Sequence, residues 1–456
     1  MPGFGQKLNV TGMALCRWLS RMLAAVMACG ALPATAQSLQ IDRPSASNLP
    51  AMPLTDLVEH LLRTGRTDEA AHVLEQVLKA QPDDQQAVFL TGIVAMAKAD
   101  HKRAIKIFRA MLIDHPEAMR VRLELARAFF VDKDYANADR QFRFARAGNP
   151  PPDVIANIEA YLFAIRQAKN WSYSFGIAIA PDTNINAGAS TREVTLFGLP
   201  FELTDDARRQ SGTGVAVDGG VEWAPAIGTG TRIRMGLNGQ RREYSGESFD
   251  DMTVAGYAGP RFVVKRWDVS VLGTAFRRWY GSQPIMRSHG GRIDATYYLN
   301  PEVGLSGSLS SQWIDYLRSP ERNGPLYSAS VGGIYALTPD SAVSIKTGVN
   351  RQTARLSAYS NWSGYAAIGY YRDLPAGFSA YVEPSIALAR HDAALAVFGQ
   401  KRSDTIYSAQ VAVLNRHIVL SRFTPRLAYT FTRQISNIPL FDFTRNRIEI
   451  GLTTAF

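Results

Sequence analysis

Two periodicities divide the chain. From about residue 53 to 168 apolar positions recur at helical spacing, and the pattern itself repeats every 34 residues. Ala70, Ala104 and Ala138 form one series; Pro82, Pro116 and Pro150 form another. Leu74, Phe108 and Phe142 each follow their alanine by four positions, one helical turn later on the same face. From Trp171 onward the period falls to two. Ile233, Met235 and Leu237 alternate with Arg232, Arg234, Gly236 and Asn238, and Val343, Ile345 and Val349 with Ser344, Lys346 and Asn350. The same alternation sets Val303, Leu305 and Leu309 against Glu302, Ser306 and Ser308, and Phe423, Leu427, Tyr429 and Phe431 against Arg422, Arg426 and Thr430. The pattern predicts a multidomain α + β chain: an all-α segment, then a long succession of strands with one apolar and one polar face.

In the helical segment the small residue of each unit lets two helices approach closely, and the larger one fills the groove between neighbours. Each proline closes the second helix of its unit, because proline cannot continue a helix. Gly65, Asp100 and Asp134 mark the turns inside the units. In period and in several signature positions the segment resembles the tetratricopeptide repeat family. The first-helix glycine of that pattern is present as Gly92 and replaced by Val58 and Ala126. After Pro150-Pro151-Pro152, Asp153 is the expected N-cap of a helix running to about Ala168, with Ile155, Ile158, Leu162 and Ile165 on one face. Such a helix would cap the exposed face of the last repeat. The basic residues Lys102, Arg103, Lys106, Arg109, Arg120 and Arg122 are either a solvated face or a patch for an acidic client. Arg103, Lys106, Arg109, Arg120 and Arg122 are the candidate client-docking residues.

Strands of the second kind suit a soluble sandwich or a barrel with lipid outside and water within. Their length favours the membrane, as do aromatics at strand ends (Trp171/Tyr173, Trp279/Tyr280, Trp313/Tyr316, Tyr370/Tyr371). The last strand adds a third feature, since Ile448, Ile450, Leu452 and Phe456 share one face. An aromatic at that position resembles the signal by which bacterial outer-membrane barrels are recognised for insertion, so Phe456 is the expected targeting residue. Short turns are expected at Ala224-Pro225, Lys265-Arg266, Asn300-Pro301, Pro339-Asp340, Leu374-Pro375-Ala376-Gly377 and Asn415-Arg416-His417. More polar loops fall near 245–250, 281–288, 318–325, 356–361, 391–403 and 435–442. With the long Asp182–Gln210 connection they predict a transmembrane antiparallel β-barrel of about fourteen strands over 171–456, with both barrel ends periplasmic. The long connection holds Asp182, Asn184 and Asn186 and an apolar patch of Leu196, Phe197, Leu199 and Phe201. That patch is open to three fates: a lumen plug, a client contact or packing against neighbouring loops. The Asp-x-Asn-x-Asn spacing lacks the glycine and distant glutamate of a calcium loop, so no metal is expected.

Charge and cysteine usage refine the picture at the amino terminus. The excess of 50 Lys+Arg over 40 Asp+Glu is spread along the chain without a dense basic run, so no nucleic-acid partner is expected. Residues 1–36 carry Lys7, Arg17 and Arg21, an apolar stretch from Met22 to Leu32, and Ala34-Thr35-Ala36 before Gln37. This is the layout of a secretory signal peptide, followed by a Ser/Pro/Ala-rich linker over 37–52. Lipidation at Cys29 is the alternative to cleavage after Ala36. Cleavage there would remove both Cys16 and Cys29 and with them any thiolate chemistry.

No catalytic constellation is evident. Ser288 and His289 would point to opposite faces of a strand, and the seven histidines are scattered without metal-ligand spacing. The chain is therefore expected to be no enzyme and to hold no cofactor. Signal peptide, tetratricopeptide repeats and barrel together resemble the surface lipoprotein assembly modulator (Slam) family of Gram-negative bacteria. The resemblance covers about 53–456 and is most specific at the junction, from Trp171-Ser-Tyr-Ser-Phe-Gly through Asp182-Thr-Asn184-Ile-Asn186. It implies an outer-membrane protein that delivers surface lipoproteins, or soluble haem-acquisition proteins, to the cell surface without catalytic residues. The repeats would receive the client and the barrel would pass it. The implied partners are that client, outer-membrane lipid, the barrel-assembly machinery and periplasmic chaperones. The rival from another class is an exopolysaccharide porin with a repeat scaffold, which tends to have more repeats and a lumen charged with one sign. The mixed signs of Arg232, Arg234, Lys346, Arg422, Arg426, Glu302 and Glu449 argue against it.

Overall fold

A computed structural model of the chain describes residues 52–299, 303–418, 420 and 423–454. The signal-peptide segment with Cys16, Cys29 and Ala36, nearly all of the linker, the Asn300-Pro301 turn, Glu302, Arg422 and Phe456 lie outside the described residues.

Helices α1 (Leu54–Arg63) and α2 (Thr67–Ala80), α3 (Gln85–Ala97) and α4 (His101–Asp114), and α5 (Met119–Val131) and α6 (Tyr135–Ala147) form three antiparallel pairs. The 34-residue series becomes their seam. Ala70, Ala104, Ala138 and Phe108 are 0% exposed, and Leu74 and Phe142 are 1% exposed. Gly92 is glycine because a Cβ there would stand 2.4 Å from the Phe108 ring. The turns keep the same period one residue out of phase with Asp100 and Asp134. Gly65, Ala99 and Lys133 take the left-handed conformation, at φ of 76°, 60° and 65°. Asp100 and Asp134 follow as N-caps, accepting from Arg103 N at 3.1 Å and Asn137 N at 3.3 Å.

The seventh helix, α7 (Pro152–Ala168), closes the stack by burying Val154, Ile158, Leu162 and Ile165. Two details differ from expectation. Pro151 occupies the cap position, leaving Asp153 in the first turn, and Val154 rather than Ile155 faces the core. A proline at the helix start already fixes φ and lacks an N–H to satisfy, so no side-chain cap is needed.

Two residues after α7 ends, the first strand begins. In chain order the strands are β1 (Trp171–Asp182), a hairpin of β2 (Glu193–Leu196) and β3 (Leu199–Glu202), then β4 (Gly212–Trp223) and the short β5 (Ala226–Gly228). There follow β6 (Thr231–Tyr244), β7 (Asp251–Val264), β8 (Trp267–Tyr280), β9 (Gln283–Tyr298), β10 (Val303–Tyr316) and β11 (Gly324–Thr338). The last six are β12 (Ser341–Gln352), β13 (Asn361–Asp373), β14 (Phe378–Leu395), β15 (Gln400–Asn415), β16 (Thr424–Ser436) and β17 (Phe443–Thr453). Leaving aside β2, β3 and β5, each strand pairs antiparallel with the next, and β1 pairs with β17 from Gly176↔Thr453 to Asp182↔Arg447. The result is a closed barrel of fourteen strands, each with a partner strand on both sides.

Alternation does the rest. Ile177, Ile179, Leu237, Leu309, Ile345 and Ile450 are 42–60% exposed on the outer face, a belt suited to lipid. At the helix-proximal end Trp171 stacks on Trp223, with ring centroids 5.6 Å apart, and Trp267 meets Tyr297 at 4.7 Å. Tyr371, grouped above with the strand-end aromatics, instead turns inward next to Tyr370, because neighbouring strand residues face opposite ways. The turns at Ala224-Pro225, Lys265-Arg266, Pro339-Asp340 and 374–377 lie at the helical end of the barrel; at the other end the loop expected near 281–288 is only Gly281-Ser282, because β9 already starts at Gln283.

Candidate functional site

The lumen encloses a cavity of about 1160 Å³. Small residues (Gly176, Ala178, Ala216) and charged ones (Lys346, Arg426, Arg447, Glu449) line it together. The lumen charges are of both signs and largely paired. Arg234 bridges Glu222 at 2.8 Å and Asp294 at 3.2 Å, Lys346 meets Glu383 at 2.8 Å, and Glu449 accepts from Arg426 at 3.3 Å and is ion-paired with Arg447 at 3.1 Å. Such a wall is hydrated without presenting a field of one sign.

The floor of the cavity is helical. Asp139, Arg140, Arg143 and Phe144 of α6 face into it. Phe144, 6% exposed, packs on Ala336 of β11 and Ala342 of β12. The guanidinium of Arg140 lies 4.7 Å from the Tyr371 ring and donates to the Tyr371 hydroxyl. Arg143 and Arg166 both sit over Tyr298, at 5.4 and 4.6 Å. Gly148, just past α6, is wedged between Met119 and Pro339, where a Cβ would come within 2.9 and 3.0 Å of them.

Two polar knots fasten the helices to the barrel. In one, Arg122 at the start of α5 is 0% exposed and reaches Asp373 at 3.3 Å. Asp373, 2% exposed, also holds Arg416 at 3.4 Å, accepts from Ser379 Oγ at 2.8 Å, and accepts from the Tyr371 hydroxyl. Arg122 further donates to Gln141 at 2.7 Å and to the Pro116 carbonyl. Burial holds its guanidinium below the usual arginine range, and the Asp373 carboxylate opposes that shift. In the other knot, Arg232 of β6 is 2% exposed. It donates to Asn170 Oδ1 at 2.7 Å, to the Lys169 carbonyl at 3.3 Å, and to the carbonyls of Gln167 and Ala224.

At the opposite end of β1 the junction motif builds a loop. Asp182, with its side chain 0% exposed, is paired with Arg445 at 2.5 Å and caps Asn184 N at 2.9 Å. Asn184, 0% exposed, donates to the carbonyls of Gly188 at 3.0 Å and Thr444 at 3.3 Å, and accepts from Gly188 N at 2.9 Å. Asn186 donates to the carbonyls of Asp206 at 2.9 Å and Arg208 at 2.6 Å, and accepts from the N–H groups of Gly188 and Gln210, each at 3.2 Å. The side-chain oxygens of all three residues are thus engaged by the protein's own donors. The loop runs along the rim, with Ser190 N on Asp442 O at 3.1 Å and Phe197 N on Val397 O at 2.8 Å. Its backbone therefore packs on neighbouring loops, while Phe197, Leu199 and Phe201 stay 73%, 61% and 45% exposed at the hairpin tip.

The candidate docking residues separate. Arg103, Lys106 and Arg120 are exposed, Arg120 with its guanidinium 5.0 Å over the Phe89 ring. Arg109 is half-buried, 5.0 Å over Phe129, and burial lowers its guanidinium from the ordinary range against the pull of Asp134. Arg122 does not belong to that surface, because it is spent inward on Asp373. Asp373, Arg140 and Phe144 were not marked by the sequence, and Tyr371 was marked only as a strand-end aromatic. No local pattern distinguishes an interface residue whose partner lies 251 positions away.

Fold and lumen define a fourteen-stranded transmembrane barrel whose mouth carries a helical-repeat domain. Residues 171–456 match the family described as "Surface lipoprotein assembly modifier", and residues 54–142 match its N-terminal TPR repeats. The chain belongs to this family, and is an outer-membrane protein with its repeat domain on the periplasmic side. It is 24% identical over 392 residues to surface lipoprotein assembly modifier 1 of Neisseria meningitidis serogroup B, covering 83% of this chain and 77% of the relative. It is 25% identical over 416 residues to the surface lipoprotein assembly modifier of Moraxella catarrhalis, covering 88% and 80%. Among solved structures, the outer membrane channel DcaP of Acinetobacter baumannii overlaps 62% of this chain and 97% of its own, at 7% identity and a TM-score of 0.38.

Proposed function

We propose that this protein is an outer-membrane translocator that delivers specific surface lipoproteins, or secreted haem-acquisition proteins, from periplasm to cell surface. The repeats dock the client and the barrel passes it. The observation that carries this reading is the seating of α6 in the barrel mouth, so that what the repeats receive is presented directly to the lumen. The names of its relatives, surface lipoprotein assembly modifiers, supply the client class. Arg103, Lys106, Arg109 and Arg120 form the client-facing patch in this proposal. The proposal assigns no catalytic role to the lumen charges, which are engaged in ion pairs. Its other partners in this proposal are the lipid around the outer belt, the barrel-assembly machinery recognising Phe456, and periplasmic chaperones for the client. A lumen of both signs suits a polypeptide of mixed charge better than a polyanionic sugar chain.

Deleting the gene and shaving intact cells with protease tests this. Surface lipoproteins or secreted haem-binding proteins are expected to become inaccessible or absent, and to return on complementation. If they are unchanged while an exopolysaccharide disappears, the translocator reading is wrong.

A further inference from the structure

The two knots that fasten the helices to the barrel lie on opposite sides of it. Arg232 is on β6 and Asp373 ends β13, and these strands stand seven apart in either direction around the ring of fourteen. Between them the helices meet the rim through Tyr298 of β9, Ala336 of β11, Ala342 of β12 and Pro339 of the turn that joins the last two. The repeat domain thus spans a diameter of the mouth, and α6 forms the cavity floor.

The knots differ in kind. At β6 the guanidinium of Arg232 ties down main-chain carbonyls of the covalent connection itself, Gln167 and Lys169, beside the start of β1. That end cannot travel far while the chain is intact. At β13 the fastening is between side chains, Arg122 and Arg140 against Asp373 and Tyr371, with a small apolar contact at Phe144. Groups of this kind regain hydration when they separate, which offsets much of what parting costs, whereas a large apolar interface would not. One fastening is built to stay and the other to let go.

We propose that the repeat domain is a hinged lid on the periplasmic mouth of the barrel, with the Arg232 knot as hinge and the Arg122–Asp373 knot as latch. In the structure described here the latch is closed and α6 obstructs the lumen. Client passage requires the latch to open and α6 to swing off Ala336 and Ala342. The lid rests on the docking geometry alone, and its test needs no client.

The full chain, reconstituted into planar lipid bilayers, supplies that test. The wild type is expected to carry a small, mostly closed ionic current. Arg122→Gln on the helical side and Asp373→Asn on the barrel side, each shown to keep a heat-modifiable barrel, are expected to raise mean conductance at least tenfold. Phe144→Cys with Ala342→Cys, added to the Asp373→Asn chain and bridged by a short bifunctional methanethiosulfonate, is expected to return conductance to the wild-type level. Dithiothreitol should then release it. Latch variants with intact barrels that conduct like wild type overturn the lid, as does a bridged chain that conducts like the reduced one. Because the readout is ion flow, an unchanged lipoprotein display would refute the proposed function without touching this result.

Discussion

Asn186 offers the sharpest test of what the junction motif does. If the motif exists to fold the long loop onto the rim, removing one carboxamide should loosen the loop and leave the barrel intact. Asn186→Ala deletes four hydrogen bonds, two to the carbonyls of Asp206 and Arg208 and two from the N–H groups of Gly188 and Gln210. Neutral bonds of this type contribute about 0.5–1.5 kcal/mol each, and partial solvent access lets water replace some of them, so the net loss should be about 2–3 kcal/mol. At a factor of ten per ~1.4 kcal/mol, the open population of the loop rises roughly 30- to 140-fold. The bond after Arg208 is held closed by that same carboxamide. When opening is fast relative to cleavage, the rate of proteolysis follows the open population. Limited trypsin digestion of the purified protein, followed by mass spectrometry of the Arg208 cut, therefore reads the effect directly. A cleavage rate within threefold of wild type, with the barrel still heat-modifiable, would refute the loop-building role. Loss of the barrel itself would show that the motif supports the wall instead.

Other perturbations probe the remaining layers. Gly92→Ala forces a methyl onto the Phe108 ring and should cost about 1–3 kcal/mol, seen as earlier thermal loss of helical circular dichroism and relieved by Phe108→Leu. Leu309→Arg places a charge on the lipid face near the middle of β10 and should cost roughly 2–4 kcal/mol, measured as a reduced yield of heat-modifiable barrel. Reversing Arg103, Lys106 and Arg120 together to Glu should weaken co-isolation of an acidic client while leaving the barrel and its conductance unchanged. Equal recovery of the client would remove these residues from the docking surface.

Much of the architecture was readable because it rests on short periods. Ala70, Ala104 and Ala138 are identical for the same local reason, the close approach of paired helices, and all three are fully buried. The strands were legible through parity: one face meets lipid and the other water, so Leu309 and Ile345 declare themselves beside Ser308 and Ser344. The turn phase was less legible, because a left-handed residue can be Gly65, Ala99 or Lys133 once the following helix demands it. Asp182, Asn184 and Asn186 stood out by spacing, but their work depends on Arg445 and Thr444, which only closure of the barrel brings near. Arg122 was misplaced for a related reason. In a free solenoid it belongs among the basic surface residues, and docking on the β13–β14 turn turns that surface into an interior.

The span of the latch also dates it. Arg122 and Asp373 are 251 residues apart, and Asp373 has its full set of partners only once Ser379 and Arg416, from the following strand and a later turn, are in position. The repeats are synthesised long before that, so Arg122 must wait, hydrated, until the wall beyond β13 is built. The order predicts that in a pulse–chase a cysteine placed at Phe144 becomes shielded from maleimide only after the barrel turns heat-modifiable. Seating of the repeat domain then serves as a receipt for completed assembly: a half-built barrel has nowhere to dock it, and only a finished one is sealed.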